Sequence, residues 1–280
     1  MTVVQEALLV AGREVRRNLT SIRGIVLLVF CVMGAVIAAM IMAWVRSVDL
    51  LGTSANNVSA QQAAVLWEVI LAKQYDPVTA KDIAHAPVLL YFASIIGARL
   101  SAALVALIGF DAVSGDLQYR AVRYVTMRVH RGSYYAGKVL GLFVVASAMM
   151  LVTHFFIWGV AVVRGATSVS EVLRWGPRMW LVDVPIVAAW CGIAQLVGSQ
   201  FRAPILALLL TFMSFFALWI VHAIAFFTDL PPLAYLYPCS FDGLLLSPTL
   251  ERILLGALGG FGIALLTSAV GAFSFMRRDL

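Results

Sequence analysis

The sequence predicts an all-α polytopic membrane protein with six transmembrane helices, and three observations carry that prediction. Of its 280 residues, 62% are apolar and only 12% are charged, about half the charged share of a soluble domain. A soluble chain of this length needs far more polar surface. Six runs are each long and apolar enough to cross a bilayer, which takes about 20 residues. Backbone polar groups in hydrocarbon must be satisfied within the segment, so these runs read as helices rather than loops.

The spans are expected at 25–45, 87–110, 139–163, 179–199, 204–227 and 253–275. The first is too long for a signal-peptide core and is preceded by a patterned segment, so it reads as an uncleaved helix. Residues 1–23 have an amphipathic pattern. Val4, Ala7, Leu8, Ala11, Val15, Leu19 and Ile22 fall on one face, with Glu6, Arg13, Arg16 and Arg17 opposite. A basic amphipathic helix before a span predicts an interfacial helix. The loop 46–86 is polar, with Ser54, Asn56, Asn57, Gln61 and Gln62, and its stretch 60–73 fits a short surface helix. Residues 228–252 hold four prolines yet are too apolar for a solvated loop, which predicts a re-entrant segment before the last span. The whole chain reads as a single transmembrane domain.

Charge sets the expected orientation. The N-terminus, the 111–138 loop, 200–203 and the C-terminus together carry twelve basic residues against five acidic ones. The opposite side carries seven against eight. The positive-inside rule places both termini in the cytoplasm. The net charge of +6 thus reports topology and anionic headgroups, not a nucleic-acid partner. Cys31, Cys191 and Cys239 lie far apart and form neither a disulfide framework nor a redox pair.

The loop between spans two and three, DAVSGDLQYRAVRYVTMRVHRGSYYAGK, is the most informative segment. Val113, Leu117, Val122 and Val125 alternate with Arg120, Arg123, Arg128 and Arg131. This predicts a short amphipathic helix, then a turn at Gly132-Ser133. The order Asp111, Ser114, Gly115, Asp116, an Arg-rich helix, then Arg131, Tyr134, Gly137 and Lys138 entering a span resembles the type-2 ABC transporter permeases. These are six-span membrane subunits of ATP-driven exporters. The resemblance takes in the amphipathic start, the span count and the broken segment before the last span. Gln118, Arg120-Ala121 and Arg128 depart from the family's pattern.

The resemblance implies a cytoplasmic coupling helix within 111–137. Asp111, Ser114, Gly115, Asp116, Gln118, Arg120 and Arg123 are then expected at an interface with a separate cytoplasmic ABC ATPase dimer. ATP and Mg would sit on that partner, and this chain would bind no cofactor and catalyse nothing. A second copy of the chain, or a paralogous permease, would complete the pathway. The outer loop 46–86 would be free for a periplasmic or surface partner. The location implied is a bacterial inner membrane, and the direction is export.

Other features weigh less. Gly132 to Lys138 matches G-x-x-x-x-G-K but lacks the following Ser/Thr and a preceding strand, so it does not read as a phosphate loop. Gly137-x-x-x-Gly141 and Gly256-x-x-x-Gly260 predict close helix packing. Arg99 and Asp183 fall inside spans and are candidates for the pathway or an interface. Their difference in depth makes direct pairing depend on snorkelling or a water. Met149, Met150 and His154 read as packing rather than as a soft-metal site, and no metal is expected. His222 and Cys239 have no evident partners. An ion-coupled secondary transporter is the alternative. An intramembrane enzyme ranks lower, because His85, His130, His154 and His222 are scattered and no H-E-x-x-H or G-x-S-x-G occurs.

Overall fold

Two helix signals open the chain in the computed structural model, which describes residues 2–47, 60–228 and 230–278. Thr2 and Gln5 form a reciprocal capping box that starts α1 (Val3–Thr20). Ser21 ends it, and α2 (Ile22–Ser47) follows at once. The turn is tight because Gly24 abuts the Asn18 carbonyl, where a Cβ would not fit. The chain continues through α3 (Ala60–Leu71), α4 (Pro77–Ala84), α5 (Val88–Gly109), α6 (Ser114–Gln118), α7 (Ala121–Thr126), α8 (Arg131–Val163), α9 (Val169–Gly198) and α10 (Pro204–Phe227). It ends with α11 (Pro231–Ala234), a 3-10 turn (Pro238–Phe241), α12 (Asp242–Leu245) and α13 (Leu250–Met276). No strand occurs among the described residues.

Six helices are long and apolar enough to cross a membrane: α2 over Ile22–Ile41, α5, α8, α9, α10 and α13. They alternate in direction, so α1, the 110–130 loop and the C-terminus gather at one end of the bundle, called the near end. The α3–α4 segment and residues 230–249 lie at the far end. α9 is the most enclosed span and packs on α5, α8, α13 and α10. Its first turn is set by a second capping box, Ser168 with Glu171. Pro177 and Pro185 lie within it, tolerated because neighbouring helices cover the disturbed backbone.

Several sequence expectations shift. α8 begins at Arg131 rather than 139, and α9 at Val169 rather than 179. Gly132 and Ser133 are helical, and the turn before α8 falls at Met127–His130. The expected single amphipathic helix is two pieces, α6 and α7, broken at Arg120, whose φ of 56° is left-handed. α4 lay unrecognised within the expected outer loop. Asp76 caps it and Pro77 opens it. Ser54, Asn56 and Asn57 lie outside the described residues.

The glycine spacing in α8 has a physical use. A Cβ at Gly137 would lie 2.6 Å from the Ala7 carbonyl oxygen, and one at Gly141 would lie 2.7 Å from Glu14 Cβ. The two glycines form the groove in which α1 lies. In α13, Gly260 meets Pro185, whereas Gly262 touches nothing within 4 Å. α1 turns Glu6, Ala11, Glu14 and Asn18 toward the bundle and leaves Val4, Leu8 and Leu19 exposed, and Ile22 is exposed at the start of α2. The inward face is therefore the polar one for Glu6, Glu14 and Asn18, and most of the apolar stripe faces away from the protein.

Replacing Gly137 by Val is expected to lever α1 off α8 at a cost of about 1–3 kcal/mol. Hydrogen exchange of α1 amides checks this, because they should lose protection while those in the middle of α9 keep theirs.

Candidate functional site

The near end is organised by charges that the sequence places far apart. Lys138 is buried, and its Nζ lies 2.7 Å from Glu14 Oε2 and 2.8 Å from Asp116 Oδ2. The same Asp116 oxygen accepts a 2.5 Å hydrogen bond from the Tyr134 hydroxyl. Glu14 Oε1 takes Arg17 at 2.7 Å and the Asn18 amide at 3.1 Å. Arg23 closes the group, donating to Asp111 Oδ1 at 2.8 Å and to the Ile108 carbonyl at 3.2 Å. α1, α2, α6 and α8 are thus joined through one network. Burial of the Arg17 guanidinium works against its charge, but Glu14, Asp111 and Asp116 outweigh it and raise its pKa further.

This network consumes much of what the sequence offered as a contact surface. Asp111 and Asp116 are turned into it. Ser114 is buried and donates its hydroxyl to the Phe110 carbonyl. Gly115 is half-buried. Only Gln118, Arg120 and Arg123 of the seven candidates present exposed side chains. Beside them stand three exposed residues that the sequence reading passed over: Tyr119, Tyr124 and Met127, each at least 74% exposed. Arg120 and Arg123 share a polar cleft of about 240 Å³ with Arg202, from the α9–α10 turn. None of the three arginines has an ion pair among the described residues. The result is an outward basic and aromatic tip on an inward, charge-locked base.

The remaining motif residues are also structural. Arg131 donates to the Met276 and Arg278 carbonyls at 3.1 Å each, tying α8 to the C-terminus. The G-x-x-x-x-G-K stretch lies wholly inside α8 and holds α1. Glu6 accepts from the His130 backbone N–H at 3.1 Å and lies 3.2 Å from its ring Nδ1. The backbone hydrogen bond, aided by the ring and Ser133, holds the Glu6 carboxyl below its usual range.

A second set of ionisable groups lies between the helices. Arg99 and Asp183 do not meet. Arg99 Nη2 is 4.0 Å from Asp242 Oδ2, in the far-end segment. Asp183 is fully enclosed, with Oδ2 3.3 Å from His154 Nε2 and Oδ1 3.5 Å from the Ser94 hydroxyl. The expected depth of Asp183 was too shallow, because α9 starts at Val169 and so carries it further in. His222 and Cys239 have partners after all: Ser240 Oγ at 2.9 Å for the former, and the Ala98 carbonyl at 3.5 Å for the latter. Further out, Arg178 pairs with Asp82 at 2.7 Å, and Arg252 pairs with Asp76. No group of three or more His, Cys, Asp or Glu side chains suited to a metal occurs among the described residues.

One signal in the sequence points to the hidden base. Glu14 and Asn18 fall one turn apart on a helix whose other charged positions are mostly basic, so a buried cation elsewhere is needed to face them. Scans against protein-family models and against the curated proteins give no match to this chain.

Lys138→Met should cost about 3–5 kcal/mol, the usual penalty for stripping one partner from a buried pair. Adding Glu14→Gln should recover part of that loss, which denaturant titration in detergent would read. Glu6 gives a pH test. Its folded pKa is depressed, so its contribution is present above about pH 4.3 and is lost as pH falls through the lower folded value. On acidification from about pH 5 to about pH 3, the protection of α1 amides relative to their intrinsic exchange rates should fall more in the wild type than in Glu6→Gln.

Proposed function

We propose that this chain is the membrane-spanning permease subunit of an ABC-type transporter, working as a dimer and driven by a separate cytoplasmic ATPase. The observation that carries the reading is the tip at Gln118–Arg128. It is exposed, basic and aromatic, and it rests on a base whose charges are already paired. Unpaired arginines beside exposed tyrosines are the composition of an interface hot spot. Arg120, Arg123 and Arg202 call for an acidic groove on the partner. α6 and α7 together would fill the role of the coupling helix. ATP and Mg would be bound by the partner. α1, with its apolar stripe turned outward, would lie in the membrane interface.

The placement of Asp242 supports a re-entrant reading of residues 228–252. It meets Arg99, eleven residues into α5, which corresponds to about 16 Å of helix. Both termini would be cytoplasmic, in a bacterial inner membrane, and transport would run outward. A rigid base beneath an exposed tip is suited to passing a push from the ATPase into α1 and α8 together.

A second reading, an ion-coupled carrier, draws on the enclosed His154–Asp183 pair. An intramembrane pair of ionisable groups is a common element of proton pathways. It would require transport without an ATPase.

Affinity purification in mild detergent separates the two. The permease reading expects an ATP-binding chain at a stoichiometry near one per copy. In that complex, Arg120→Glu with Arg123→Glu should lower partner recovery at least about tenfold. Raised salt should weaken the wild-type complex in the same direction. Recovery of the chain alone under several gentle conditions would reject the ATPase-driven reading.

A further inference from the structure

A cleft of about 370 Å³ opens between α2, α5 and α8, within the length of the spanning helices. Its walls are almost entirely hydrocarbon, including Phe30, Ile96, Leu100 and Ile157. Phe30 and Leu100 are each more than 60% exposed, so the cleft opens sideways, where the acyl chains of a bilayer would lie. This size falls within the range of small-molecule pockets.

One ring breaks the apolar lining. His154 is buried at 1% exposure. Its Nδ1 lies 2.8 Å from the Met150 carbonyl oxygen. That nitrogen therefore carries a proton and donates it. Nε2 is left facing Asp183 Oδ2 at 3.3 Å, without hydrogen-bond alignment, and both atoms lack a hydrogen-bond partner. Buried polar atoms left this way cost about 1–3 kcal/mol each.

Gly97, on the cleft wall, keeps the pair within reach. A Cβ there would stand 3.5 Å from both Asp183 Oδ2 and His154 Cε1. Its absence leaves only the backbone of Gly97 and the Met150 methyl, 3.1 Å from that position, between the cleft and the pair, so a small head group reaches them by displacing that methyl.

We propose that this cleft binds an uncharged amphiphile, a hydrocarbon chain ending in a hydroxyl or amide. The chain would lie against α2, α5 and α8, with the head hydrogen-bonded at His154 and Asp183 beside Gly97, where the Met150 methyl gives way. The head is uncharged because the site has no spare cation. Arg99 is committed to Asp242, so a phosphate or carboxylate would enter hydrocarbon beside Asp183 uncompensated. With the proton on Nδ1, Nε2 accepts, and so does the Asp183 carboxylate oxygen, so the head must donate: a hydroxyl offers a proton to one of the two orphan atoms and a primary amide one to each. The proposal goes beyond the ATPase reading and does not depend on it.

The test uses the full chain in detergent, alone and without nucleotide, with a diazirine-tagged hexadecanol as the probe. Labelled peptides should map to the cleft faces of α2, α5 and α8. Excess hexadecanol should suppress labelling more strongly than hexadecane or hexadecanoic acid. Leu100→Trp, a change at an exposed position of the mouth, should reduce labelling about tenfold. His154→Phe should reduce it about fivefold and erase the preference for alcohol over alkane. Labelling spread over all lipid-facing helices, or unchanged by Leu100→Trp, would overturn the site. Equal competition by hexadecane would overturn the head contact, and stronger competition by the acid would overturn the uncharged class. Leu100→Trp lies outside the packed core, so the test stands even if His154→Phe does not fold.

Discussion

A single buried ammonium group, that of Lys138, decides how the near end is assembled. An unpaired cation there would cost several kcal/mol, so Glu14 from α1 and Asp116 from α6 are drawn to it from either side. Once Glu14 is fixed, Arg17 and Asn18 follow on the next turn. Once Asp116 is fixed, Tyr134 closes over it. The two short helices of the loop are then held from below, and their other faces are left outward. The glycines at 137 and 141 serve the same end, because α1 could not bring Glu14 to Lys138 across larger side chains. Charge and close packing are one device here, built on a single turn of α8.

The same rule governs the interior of the bundle. Three ionisable side chains within the spans find charged or titratable counterparts: Arg99 with Asp242, Asp183 with His154, and Arg178 with Asp82. Two of these three pairs reach from a spanning helix to a far-end segment. Residues 230–249 and α4 are thereby tied to the spans by charge as well as by apolar packing, such as Phe241 against Gly259. His154 and Asp183 differ from the rest. They pair between two spans, are almost fully enclosed, and still leave hydrogen-bonding capacity unused.

Much of the fold was legible because hydrocarbon solvent imposes a length. Six apolar runs gave six long helices, and Pro204–Phe227 begins and ends at the expected residues. Boundaries slipped where polar residues extend a helix beyond its apolar run, as at Arg131 and Val169. The break at Arg120 was invisible, since arginine carries no sequence mark for a left-handed conformation. Contacts between segments were the least legible. Asp111, Ser114 and Asp116 have the composition of a surface and serve as struts, because their partners Arg23, Phe110, Tyr134 and Lys138 come from elsewhere in the chain or from backbone. Tyr119, Tyr124 and Met127 have the composition of a core and stand exposed. Periodicity sorts polar from apolar on one helix, but it does not say which side another helix will cover.

α8 links the two polar centres. Lys138 and His154 are sixteen residues apart on one unbroken helix, about 24 Å along its axis. One end of that helix is clamped to α1 and the loop, and its middle forms a wall of the apolar cleft. No proline, a leading cause of sharp helix kinks, interrupts the stretch between them. Any displacement of the near-end network that carries α8 therefore changes the spacing between His154 and the α5 wall at Gly97. That spacing is close because position 97 is a glycine: Met150 Cε lies 3.1 Å, and Asp183 Oδ2 and His154 Cε1 3.5 Å, from the place a Cβ would occupy, so a larger residue there would press on the polar pair and on the methyl beside it.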